Sequence, residues 1–141
     1  MFYGNTTNET RSVFFSSWKK YKQNQPLSPL EQQLVDVMIA HPEYHRLLEQ
    51  SIETINEAVL PAGGENPFLH MGLHLAIRDQ VAMNKPDGIT TGYQSLLQKH
   101  GDPLYVEHLM MEPLAIGLWE SQRDKRMFDE IGYLNAVKEL L

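Results

Sequence analysis

An all-α fold, a single domain built as a bundle of about five to six helices, is predicted for this 141-residue chain by three observations. A capping residue followed directly by proline occurs at Ser28-Pro29, Asn66-Pro67 and Asp102-Pro103, the pairing that opens helices. Between such signals, apolar residues recur at spacings of three and four. Nowhere does apolar–polar alternation run long enough to describe a strand, and no internal repeat or low-complexity tract breaks the chain into parts.

The elements follow in order. From Asn8 to about Lys22, Val13, Phe14, Trp18 and Tyr21 mark one helical face, and Gln23-Asn24-Gln25-Pro26 ends it. Ser28-Pro29-Leu30-Glu31 combines an N-cap, a first-turn proline and a capping-box glutamate. The helix behind it carries Leu30, Leu34, Val37 and Met38 on one side and stops or kinks at His41, because Pro42 disfavours helical geometry in the residue before it. A short helix then runs from Pro42 through Leu47, Leu48 and Glu49, and Ser51 to Leu60 is read as its continuation. Pro61-Ala62-Gly63-Gly64 is a loop. Asn66-Pro67 opens a helix reaching about Met83, and Lys85-Pro86-Asp87-Gly88 is a turn. A helix from about Thr90 to Lys99 stops at Gly101, and Asp102-Pro103 starts another in which Pro113 predicts a kink or break. The last helix covers Asp129 to Leu140. Met71, Met83, Met110 and Met111 read as core filler.

Composition narrows the function classes. A net charge of −6, with the lysines and arginines scattered, argues against nucleic acid, whose phosphates call for clustered cations. No apolar run approaches the ~18 residues of a membrane span, and the N-terminus shows no export signal, so a cytoplasmic protein is expected. The chain has no cysteine, which leaves histidine and carboxylate as the only strong metal donors.

Those donors are grouped. His70 and His74 lie one turn apart, on a face that continues into Ile77 and Val81. His108 and Glu112 share a face with Leu104, Ala115 and Trp119, while Glu107 falls on the stripe of Met111, Leu114 and Leu118. In an up-and-down bundle the two helices run parallel and bring the pairs to nearly one level, as metal sites inside bundles are built. His45 and Glu49 offer a third side, and His41 serves either as a ligand or as a cap at the proline break. Arg78 and Asp79 read as ligand-orienting partners or as a surface pair, and His100 as an exposed residue at a helix end. Nitrogen-rich donors with one or two carboxylates suit zinc, iron, manganese or nickel rather than calcium or magnesium.

Three functions remain in view. The first is binding of a divalent transition metal (zinc, iron or manganese) through these pairs. The second is a metal-free interaction module with a buried histidine–carboxylate network, using exposed Trp18, Phe2 and Tyr3 or a homodimer interface. The third is a metal-free enzyme with His74 or His108 as general base, oriented by Glu112 or Glu107. No nucleophile elbow, phosphate loop or HExxH motif is present, so no reaction or substrate is implied.

NPFLHMGLHLAIRDQ, preceded by HPEYHRLLE and followed by VEHLMMEPL and LWESQR, resembles an uncharacterised bacterial family known as domain of unknown function 1841. The resemblance spans nearly the whole chain and implies no activity or ligand set. Hemerythrin-like helical metalloproteins offer a looser, architectural likeness. The ExxH pair of ferritin-like bundles is absent.

Overall fold

The computed structural model describes residues 7–50 and 66–141, with side chains from Arg11 onward. The described residues are all-helical, with seven α-helices where five to six were expected. They are α1 (Thr7–Lys22), α2 (Pro29–Ile39), α3 (His45–Leu48), α4 (Pro67–Met83), α5 (Ile89–His100), α6 (Pro103–Asp124) and α7 (Glu130–Glu139). The short helix expected from Pro42 is divided, a 3-10 turn at Pro42–Tyr44 leading into the single turn of α3. The stretches read as a continued helix from Ser51 and a loop at Pro61 lie outside the described residues, as do Phe2 and Tyr3. Among the described residues no helix is long and apolar enough to cross a membrane.

The chain forms two compact units, Met1–Leu75 and Ala76–Leu141, and α4 contributes to both. In the first unit the Ser28 hydroxyl accepts from the Glu31 N–H while the Glu31 carboxylate accepts from the Ser28 N–H, closing the capping box that starts α2. Asn66 starts α4 in the same spirit, its side-chain oxygen accepting from the Phe68 N–H at 3.0 Å. The apolar faces of α1 and α2 meet through Phe14, Trp18, Leu34, Val35, Val37 and Met38, and Phe68 tilts against Phe14 and Phe15 at 5.7 Å. Trp18, expected on the surface as a contact residue, is 3% exposed and belongs to this core. The helical stripe that includes Phe14 carries it inward, so it cannot serve as a docking residue.

The second unit gathers Ile89, Leu96, Val106, Met110, Leu114, Tyr133 and Val137 as buried apolar residues. Gly88 at the start of α5 has no side chain to cap with, and Asn84 substitutes, its side-chain oxygen accepting from the Gly88 and Thr90 N–H groups. Gly101 ends α5 with φ of +78°, a conformation that suits glycine. Gly117 lets the Phe128 ring approach α6 to a distance that a β-carbon would block.

Pro113 does not break its helix: α6 runs unbroken through it from Pro103 to Asp124. Buried Met110, Met111 and Leu114 hold the helix on both sides of the missing hydrogen bond. Met83 is 60% exposed near the end of α4 rather than in the core. His100 is half-buried rather than exposed, its ring edge-on to Tyr105 at 5.1 Å.

Candidate metal centre

The site begins with the way α2 ends. Pro42 pushes His41 out of helical geometry, to φ −124° and ψ 69°. The last carbonyls of a helix have no partner within it, and here two histidines supply one. His41 Nδ1–H donates to the Val37 carbonyl at 2.8 Å, and His45 Nε2–H donates to the Met38 carbonyl at 2.7 Å. A carbonyl can only accept, so the bond places a proton of His41 on Nδ1. Ligand or cap was the choice left open for His41, and the two roles are compatible. Metal-binding histidines commonly hold their second nitrogen this way.

α4 brings the other imidazoles. His70 and His74, four residues apart, place their Nε2 atoms 3.3 Å from each other. The rings of His41, His70 and His74 form a near-equilateral triangle, with centroid separations of 5.0, 4.7 and 4.9 Å. Each ring offers a nitrogen within 4.8 Å of the others. His74 is fully buried, His41 is 3% exposed and His70 is half-buried. Tyr44, which the sequence did not single out, lies parallel to the His41 ring at 5.5 Å and edge-on to His70 at 6.2 Å. Its place three residues after His41 in the HPEYH segment was the available signal.

His45 and Glu49 belong to the first unit but not to the triangle. His45 uses Nε2 on the Met38 carbonyl and stacks at 4.5 Å on Trp18, away from the triangle's own ring contacts. Glu49 caps α3 by its backbone and its side chain is exposed. In the second unit, the α6 face shared by His108, Glu112, Ala115 and Trp119 is exposed, contrary to the inward direction expected for it. The inward stripe is that of Glu107, Met111 and Leu114. Both stripes carry apolar residues at helical spacing, so periodicity alone did not choose between them.

Glu107 is 5% exposed and is clasped by Arg78, whose Nε donates to both carboxylate oxygens and whose Nη2 donates to Oε1, at 3.0 to 3.2 Å. A fork of this kind answers the cost of burying a carboxylate. Arg78 therefore pairs with Glu107, and Asp79 is exposed. Burial first, and then the Glu107 carboxylate, push the Tyr93 hydroxyl above its ordinary pKa, with Arg78 opposing.

A helical chain with a buried triangle of imidazoles is the class that fold and site define. The sequence profile of the family described as Domain of unknown function (DUF1841) matches residues 6–139, and the chain belongs to that family. Neither the curated proteins nor the solved structures yield a match.

Proposed function

We propose that this protein binds one divalent transition-metal ion on His41, His70 and His74. The observation that carries the reading is the 3.3 Å separation of the His70 and His74 Nε2 atoms. Two imidazole nitrogens at about 2.0–2.1 Å from a tetrahedral ion lie about 3.3–3.4 Å apart, so these two need no rearrangement to share one. Hydrogen bonds from N–H groups are usually shorter, about 2.7–3.2 Å. The proton that the Val37 carbonyl places on His41 Nδ1 supports the third ligand.

For a fourth donor the chain offers His108, on the grounds of its (i, i+4) pairing with Glu112 in the sequence; the other carboxylates in the proposed set are Glu107 and Glu49. Glu107 ranks lowest, because Arg78 already neutralises it. That clasp also weakens the metal-free reading, since a buried carboxylate held by Arg78 has no need of a histidine network. Imidazole donors favour zinc, iron or nickel, whereas manganese prefers oxygen ligands. A fourth protein donor would close the site and give the ion a structural role. Water in that position would give a Lewis-acid centre.

Elemental analysis of untagged protein, purified without chelators, tests the reading. Near-stoichiometric metal in the wild type, lost in His41→Ala, His70→Ala and His74→Ala, is the expected result. His108→Ala reports whether the fourth donor is correctly chosen. A folded wild type that carries no metal and gains no stability when zinc or iron is added would reject the proposal in favour of a structural histidine cluster.

A further inference from the structure

The exposed face of α6 carries more apolar surface than a solvent-facing helix needs. Ile116 is 48% exposed and Trp119 59% exposed, with Ala115 beside them. Glu112 stands one turn before Ile116, and Arg123 stands one turn after Trp119, its guanidinium 4.6 Å over the indole ring and ion-paired with exposed Asp124 at 2.9 Å. The stripe therefore reads acid, aliphatic, aromatic, base.

That order is self-complementary when the helix is laid antiparallel to itself. About a two-fold axis midway between Gly117 and Leu118, Glu112 and Arg123 are equally distant from the centre, about 8 Å along the helix at 1.5 Å per residue. Ile116 and Trp119 are likewise equidistant, about 2 Å from it. We infer that α6 pairs antiparallel with α6 of a second copy of this chain. In that pairing each Glu112 meets Arg123 of the other copy, and each Ile116 meets Trp119 of the other copy.

A receptacle for the indole is already present. Ile116 lines a groove of about 410 Å³ between α6 and α7, together with apolar Pro113, Ala136 and Leu140 and charged Glu120 and Arg126. An isologous pair places the same knob in the same hole twice, and tryptophan in a desolvated pocket is a frequent energetic anchor of interfaces. Charge selects the occupant. The stripe's charges invert end to end, and the exposed Arg123–Asp124 pair is of a kind that contributes little by itself, so a second copy in antiparallel sense suits the stripe better than a uniformly basic or acidic partner. Two apolar side chains per copy fall well short of the roughly 800 Å² per partner of a standard interface. The dimer is accordingly weak and reversible.

Sedimentation velocity of untagged protein from 1 to 200 µM tests the inference independently of the metal reading. The expected result is a concentration-dependent dimer that Trp119→Ala weakens at least tenfold, with helical content unchanged by circular dichroism. Glu112→Arg and Arg123→Glu should each weaken it by placing like charges together, and the double variant E112R/R123E should restore it. A wild type that stays monomeric through 200 µM would overturn self-pairing and assign the face to another protein. A dimer indifferent to Trp119→Ala, or a charge swap that fails to restore, would overturn the proposed register.

Discussion

Removing the ion is the perturbation whose size the structure allows to be worked out. An ion held by His41 and by His70 and His74 joins chain positions about 30 residues apart, and folding has already brought them together. In the unfolded chain the same ion would have to close that loop itself. The chain-entropy relation for a cross-link gives about 3.6 kcal/mol for a loop of roughly 30 residues at 25 °C. On the proposed site the folded chain would therefore bind the ion more tightly than the unfolded chain by about that amount, and linkage would convert the difference into stability once the site is saturated. For a chain of this length melting as one unit, the shift in Tm is about 7–15 °C, and larger if the first unit melts by itself. Thermal melts at 222 nm, with stoichiometric zinc and after exhaustive chelation, measure it. His74→Ala, which removes a fully buried ligand, should melt at one temperature under both conditions. A wild-type shift under 2 °C, or an equal shift in His74→Ala, would refute the cross-linking argument.

Two further outcomes follow from charge pairs in the structure. Glu31 has its pKa lowered to about 2, first by the hydrogen bond from Lys20 at 2.8 Å and then by the Ser28 N–H. A depressed folded-state pKa contributes stability above the unfolded value near 4.5 that is lost as pH falls toward 2, so stability of wild type should decline across that window and Glu31→Gln should flatten the decline in acid-unfolding curves. Arg78→Ala removes the guanidinium fork from the buried Glu107 carboxylate and should cost about 2–4 kcal/mol in urea unfolding, whereas Arg78→Met combined with Glu107→Leu should recover most of it. Equal losses in the single and the double variant would contradict that account.

Helix boundaries were the most legible part of the sequence because their causes are local. Ser28 with Glu31, Asn66 before Pro67, Asp102 before Pro103 and Gly101 all act within four residues of themselves, and each is found where its chemistry placed it. The His70–His74 pair was legible for the same reason, one helical turn being enough to bring two rings together. What escaped the sequence depends on packing between elements. α6 is apolar around most of its circumference, so two stripes competed for the interior and the one bearing Glu107 took it. Trp18 and Met83 were exchanged in expectation because neither residue type declares its side of a helix, and burial was settled by α1 meeting α2 and by α4 running out beyond its core. His41 joined the triangle through a backbone turn at Pro42 whose direction no periodicity describes.

The bond from His41 to the Val37 carbonyl has an evolutionary corollary. Asparagine or lysine at this position can satisfy a helix-end carbonyl, and other residues can hold an extended pre-proline backbone, but few do both while presenting a metal-binding nitrogen on the far side of the ring. Position 45 bonds the Met38 carbonyl and lies against Trp18 without belonging to the triangle. Were the proposed ion dispensed with, the ring at position 41 would therefore be expected to outlast those at 70 and 74, because it would still finish a helix.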